Sequence, residues 1–206
     1  TFAPPMKEQM IDTAWEMFLQ LGFKSVTMDD LAERLGISKK TIYLHFKNKT
    51  ELIHECTCNL FEKISLGITC ITDQGLNPIE ELYEIKKFAL THLKDEKSSP
   101  QYQLRKYYPR IFESLNEQKF AMMKECVLKN INRGMAMGIY RANLDPGFVA
   151  RIYFAGVTSL NDEDLFPKSD FPMPGLMDHY LEYHLRGIVT PDGRKVLNKI
   201  INSNLE

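Results

Sequence analysis

Hydrophobic positions recur at helical spacing from the start of the chain. Ile11, Ala14, Phe18 and Leu21 follow one another at intervals of three, four and three, with Trp15 beside them. That is the apolar stripe of an amphipathic helix, and Gly22 closes it. Thr27-Met28-Asp29-Asp30 is a capping-box pattern opening a second helix, whose inner face is Met28, Leu31, Ala32 and Leu35 and which Gly36 ends. Ser38 is placed to cap a third helix, from Lys39 to about His45. Asn48-Lys49-Thr50-Glu51 reads as a second capping box, and the helix it opens turns Leu52, Ile53, Cys56, Leu60 and Ile64 inward as far as about Cys70.

A polar turn, Thr72 to Gly75, divides the chain. Asn77-Pro78 then opens a helix with proline at its first position, where the missing N–H is harmless, and Leu82, Ile85, Ala89 and Leu93 supply its stripe. Lys94 to Ser99 is a polar break, after which Ser99-Pro100 restarts helix. Pro109 interrupts again before a long segment to about Ile139. Asp145-Pro146 begins a helix through Leu160; a proline-rich loop follows, then a last long helix ending near Gly187 and a short tail helix over about 194–201. No alternating pattern lasts long enough for a strand. The expected fold is all-α, a small N-terminal bundle followed by a larger C-terminal one.

Composition narrows the function without naming it. The 206 residues, 44% hydrophobic and 26% charged, suit a soluble globular chain. The net charge of −1 means that any affinity for nucleic acid must come from a local patch. The opening TFAPPMKEQM lacks a basic segment leading into an apolar run, and no stretch approaches the length of a membrane span. Four cysteines without zinc-site spacing read as reduced thiols, so a cytoplasmic protein without metal, cofactor or membrane partner is expected.

One local patch stands out. Between Gly36 and Thr50 lie Lys39, Lys40, Lys47 and Lys49 and no acidic residue. Two short helices joined by a tight glycine turn, the second basic and hydroxylated, describe a helix-turn-helix. In a major groove the third helix would present Lys39, Lys40, Thr41 and Tyr43 to phosphates and base edges, with Ile42 and Phe46 anchoring its other side. His45 lies at the helix exit, and Thr27 and Lys49 sit at helix N-termini that favour anionic oxygens. Charge alone does not separate this reading from a solvated lysine face.

The wider pattern does. Ile11, Ala14, Phe18, Gly22-Phe23, Thr27, Leu31-Ala32, Leu35-Gly36-Ile37-Ser38-Lys39, Thr41-Ile42-Tyr43, His45-Phe46, Lys49 and Leu52 closely resemble the DNA-binding domain of the tetracycline-repressor (TetR) type. Arg133-Gly134, Gly138, Tyr140-Arg141 and Leu144-Asp145-Pro146 resemble that family's junction between helices seven and eight. The resemblance implies a helix-turn-helix domain at 1–50, a fourth helix at about 48–70 connecting it, and an effector-binding and dimerisation domain at 71–206. It implies a transcriptional regulator rather than an enzyme, a ligand-responsive repressor acting as a homodimer on a pseudo-palindromic double-stranded operator. Thr27, Lys39, Lys40, Thr41, Tyr43, His45 and Lys49 carry the DNA contact in that reading.

For the C-terminal part, aromatic and methionine side chains can line an adaptable apolar pocket. Phe88, Phe112, Met122 and Phe154 are the candidates for a largely apolar effector, although residues of this kind also make ordinary core. The implied dimer helices are about Pro146–Leu160 and Gly175–Arg186. Val149, Tyr153, Val157 and Leu160 fall on one stripe, and Met177, Tyr180, His184 and Gly187 on another. Periodicity leaves open whether those stripes meet a partner or the chain's own core.

Other constellations carry less. His54 and Cys58 share a helix face but lack a third metal ligand. His179 and His184 are five apart and do not share a face. Gly134 and Gly138 form a GxxxG pattern flanked by charges, which suits close helix packing and not a membrane dimer. Asp162-Glu163-Asp164 reads as a solvated loop. Two competing functions remain open. One is an enzyme fused to a DNA-binding head, for which no converging polar set is visible. The other is an architectural DNA binder, which would discriminate little between sequences.

Overall fold

The computed structural model describes residues 6–91 and 100–203, and every regular element among them is a helix. In order these are α1 (Met6–Leu21), α2 (Met28–Leu35), α3 (Lys39–Tyr43), α4 (Lys49–Thr72) and α5 (Pro78–Thr91). They are followed by α6 (Pro100–Tyr107), α7 (Pro109–Ala136), α8 (Pro146–Ser159), α9 (Met173–Ile188) and α10 (Pro191–Ser203). The all-α expectation holds. Leu93 and the polar break at 94–99 lie outside the described residues.

Caps set most boundaries. Thr27 accepts from the Asp30 N–H and gives its own N–H to the Asp30 carboxylate, so the capping box at α2 forms in both directions. Ser38 accepts from the Thr41 N–H, and Asp145 from those of Gly147 and Phe148. The pattern at α4 forms differently from the expected box. Asn48 accepts from the Glu51 N–H at 2.9 Å, but the Glu51 carboxylate takes the N–H of Lys47. Helix α3 stops at Tyr43, two residues short of expectation, although Phe46 N–H still reaches the Ile42 carbonyl at 3.0 Å. Helix α10 is longer than expected at both ends.

The described residues form two compact units, one within 1–66 and 92–119 and the other within 67–91 and 120–206. In the first unit, Met10, Ala14, Phe18, Phe23, Leu31, Ile42, Phe46 and Ile53 make a core from which water is almost excluded. Fully burying each of the larger of these side chains stabilises by about 1.5–3 kcal/mol. Beyond the three-helix head, this unit takes in α6 and the start of α7. Gln103 accepts the Phe23 N–H at 2.8 Å, Tyr108 meets the Phe23 ring edge-on, and Leu104 and Ile111 complete the core. Leu21, expected inside, is the last residue of α1 and is 59% exposed. Leu60 and Ile64 are only half-buried, while Thr57 is buried, its hydroxyl donated to the His54 carbonyl.

In the second unit Ile79, Leu82, Tyr83, Ile131, Tyr140, Leu185 and Leu197 form the core. The buried face of α5 therefore starts at its first turn, with Pro78 and Ile79, and Ile85 and Ala89 are only half-buried. The glycines at 134 and 138 serve a turn and a ring rather than two packed helices. A Cβ on Gly134 would fall 2.1 Å from the Tyr140 ring, and Gly138 takes a φ of +69° just beyond α7. A lone antiparallel bridge joins Tyr140 to Val189.

The stripes on α8 and α9 enter this chain's own interior only in part, since Val157, Met177 and Tyr180 are half-buried and Gly187 is exposed. Val149, Tyr153, Leu160 and His184 are buried; the Tyr180 hydroxyl donates to the Tyr153 carbonyl at 3.0 Å, and the Tyr153 and His184 rings lie 5.0 Å apart. Burial pushes the His184 imidazole down to about 4. A base held below its unfolded-state value contributes its stability above about pH 6.5 and loses it as the pH falls toward 4. Urea unfolding at pH 7 and pH 4.5 is therefore expected to show an acid loss of which about 2–3 kcal/mol comes from this ring. His184→Phe should lose correspondingly less, and an equal loss in the variant would exonerate His184.

Candidate nucleic-acid interface

The interface is built on the turn between α2 and α3. Gly36 holds a left-handed φ of +65°, which costs glycine little, and Ile37 N–H returns to the Ala32 carbonyl at 3.0 Å. This sharp turn lets α3 start immediately under the Ser38 cap. Ile42 and Phe46 plug into the first core with 0% and 1% exposure. The outer side of α3 and of the turn after it is thereby held in solvent, with Lys40, Tyr43, Leu44 and His45 all exposed.

The seven expected contact residues stand in different states. Lys39 is tied to Asp29 of α2 at 2.7 Å, and that hydrogen bond pushes its ammonium above its ordinary range. Contact with a phosphate would exchange one anion for another. Thr41 is half-buried, its hydroxyl 2.8 Å from that of Ser38. Lys40 has no ion pair among the described residues, and Tyr43 is 45% exposed. His45 lies at the surface beyond α3, its ring tilted against Phe46.

Thr27 and Lys49 meet at the other edge. The hydrogen bonds from Thr27 hold the Asp30 carboxyl below its usual range, with help from Lys49. Partial burial pushes Lys49 below its own ordinary value while Asp30 opposes that shift. The Lys49 ammonium donates to the Lys24 carbonyl at 3.2 Å, so it is held in place before any DNA arrives. Leu44 escaped the sequence reading. It is 76% exposed, an apolar side chain standing between Tyr43 and His45 with the means to contact a thymine methyl. The only sequence signal for it was its place within the helical turn opposite Ile42.

The four pocket candidates are divided between the units. Phe112 packs against the first core. Phe88 closes on Gly67, where a Cβ would fall 2.0 Å from its ring, and Phe154 meets Phe120 edge-on at 4.9 Å. Met122 is half-buried. His54 and Cys58 come together, sulfur to Nε2 3.7 Å, but no third ligand joins them among the described residues. Asp162 caps the N–H of Asp164 and Glu163 pairs with Lys168, so the acidic triplet organises its own loop. All four cysteines are free, and no described helix is long and apolar enough to cross a membrane.

Comparison with known proteins agrees with this geometry. Residues 10–56 match the family described as bacterial regulatory proteins, tetR family. The HTH-type transcriptional regulator YhgD of Bacillus subtilis is 32% identical over 90 residues, covering 42% of this chain and 47% of that protein. The chain thus aligns with about half the length of that relative. The HTH-type transcriptional repressor KstR2 of Mycobacterium tuberculosis is 26% identical over 153 residues, 69% of this chain and 73% of the repressor. Among solved structures, a transcriptional regulator of Saccharomonospora viridis in complex with choline superimposes with a TM-score of 0.76 at 21% identity, covering 89% of this chain and 97% of that one. These relatives are named as regulators of transcription. Residues 10–56 thus carry a helix-turn-helix DNA-binding domain of the tetR family of bacterial regulatory proteins.

Proposed function

We propose that the protein is a ligand-responsive repressor that binds a pseudo-palindromic operator as a homodimer. The observation that carries this reading is the outward surface of α3 and the turn after it, with Lys40, Tyr43, Leu44 and His45 exposed and Ile42 and Phe46 anchoring the segment from behind. Lys39, Thr41, Lys49 and Thr27 flank that face and supply backbone contacts. Two copies would set their recognition helices in successive major grooves, roughly 34–36 Å apart. Selection of sites from a random duplex pool at near-physiological salt is expected to enrich an inverted repeat. A pool that stays unenriched, with weak salt-sensitive binding only, would favour an architectural role and overturn the operator.

The second copy has a surface to meet. Phe148 and Ile152, one turn apart on α8, are 62% and 49% exposed, and Tyr183 on α9 is 79% exposed. These side chains flank the stripes that enter the core. Their burial in a dimer would remove apolar surface that a monomer leaves in water. Sedimentation equilibrium at micromolar concentration is expected to give a dimer, and Phe148→Glu with Ile152→Glu a folded monomer. A wild-type monomer would count against the proposal.

The effector is a small, largely apolar molecule held by the second unit, with Phe88, Met122 and Phe154 as candidate contacts. It would act by favouring a conformer that binds DNA less well, through its differential affinity for the two states.

A further inference from the structure

Helix α6 and the turn before α2 carry cations that the helix-turn-helix does not use. From Pro100 to Phe112 the chain has Arg105, Lys106 and Arg110 and no acidic residue. The Lys106 ammonium lies over the ring of Tyr102 at 5.4 Å, donates to its hydroxyl at 3.3 Å, and lies over the ring of Tyr107 at 5.5 Å. Lys24 reaches the same Tyr107 ring, also at 5.5 Å. Two ammonium groups thus converge on one aromatic side chain, and neither has a carboxylate partner among the described residues.

That arrangement differs from Lys39, whose charge is offset by Asp29 at 2.7 Å. An aromatic face orients an ammonium without neutralising it. The full charge of Lys24 and Lys106 remains available to an anion, and their mutual repulsion favours one. The pair is also continuous with the DNA-reading surface, because the main-chain carbonyl of Lys24 receives the Lys49 ammonium. From this continuity and charge, we infer that Lys24 and Lys106, gathered on the Tyr107 ring, form a second phosphate-binding site that takes the DNA backbone flanking the operator. The inference rests on the operator-binding reading. It adds an interaction that lengthens the footprint and raises affinity without reading bases.

Salt dependence tests it, since each phosphate neutralised by a lysine adds about 0.9 to the slope of log K against log salt. Full-length wild type and Lys24→Gln with Lys106→Gln would be titrated onto two duplexes carrying the selected repeat. One is trimmed to the repeat and the other extended by about one helical turn on each side. Glutamine keeps the side-chain stem, and both lysines are exposed, so the melting transition should be unchanged. On the extended duplex the slope is expected to fall by about one for every phosphate that the variant leaves unneutralised. On the trimmed duplex the variant should match wild type, and both should select the same repeat. Equal slopes on the extended duplex would overturn the site, as would an equal fall in Lys199→Gln, an exposed lysine of α10 in the other unit. A wild type that selects no repeat at all would instead remove the operator reading, and this inference with it.

Discussion

Tyr43→Ala combined with Lys49→Ala is expected to abolish operator binding while leaving the unfolding transition in place. Tyr43 projects from the solvent face of α3, 45% exposed, and supports nothing in the core behind it. Lys49 contributes one hydrogen bond to the fold, to the Lys24 carbonyl at 3.2 Å, whose removal at a partly exposed site costs at most about 1 kcal/mol. At the DNA, removing an interaction with a base or a phosphate costs about 1–3 kcal/mol, and in a dimer each removal acts at both half-sites. The combined effect is roughly a thousandfold or more in Kd, a change that fluorescence anisotropy on the selected repeat would read as absent binding. Circular dichroism on the same samples should show wild-type helix content and melting. Retained affinity would take both residues out of the interface. Weakened binding together with reduced helix content would mean that Tyr43 holds the head together rather than reads DNA.

Arg133→Met should produce a large stability loss in the second unit. Glu81 is 1% exposed, yet both its carboxylate oxygens are engaged. Arg133 approaches one at 2.6 Å, and the Asn130 amide donates to the other at 2.7 Å. Asn130 in turn donates to the Pro78 carbonyl and accepts from the Tyr140 hydroxyl at 3.0 Å, while Arg133 also donates to the Leu76 carbonyl. One network thus ties α5 to α7 and to the turn that follows it. The Arg133 Nε is buried within it without a hydrogen-bond partner among the described residues. Removing the arginine leaves a buried carboxylate uncompensated, which costs about 3–5 kcal/mol where both partners are buried. Arg133 keeps 36% of its side chain exposed, so about 3 kcal/mol is expected here. Urea denaturation would measure it, and adding Glu81→Gln to Arg133→Met should recover more than half. A loss that the second substitution leaves unchanged would assign the arginine a packing role instead.

Much of the helix-turn-helix was legible in the sequence because its determinants are local. A capping box needs only Thr27 and Asp30, the turn needs a glycine at position 36, and the anchoring of α3 needs Ile42 and Phe46 one turn apart. Each depends on residues within four positions of one another, where the helical period dictates the neighbour. The same locality explains why the position of Leu44 could have been found by counting round the turn from Ile42. It does not extend to the partners of the contact residues. That Lys39 meets Asp29 depends on how α2 crosses α3, and that Lys49 meets Lys24 depends on a turn 25 residues away.

By itself, then, the sequence determined an all-helical chain, the position of nearly every helix and the family of its DNA-binding head, since these follow from short-range spacing, caps and motif. Tertiary packing alone decided which stripes of α8 and α9 close on each other, leaving Phe148, Ile152 and Tyr183 outside. It alone buried Glu81 with Arg133 and Asn130, and brought Gln103 to the Phe23 N–H across 80 residues. The physical reason is the same in each case. A helical period says that one face is apolar, but the partner of that face and the pairing of a buried charge are set by groups far apart in the chain, whose meeting no local pattern encodes.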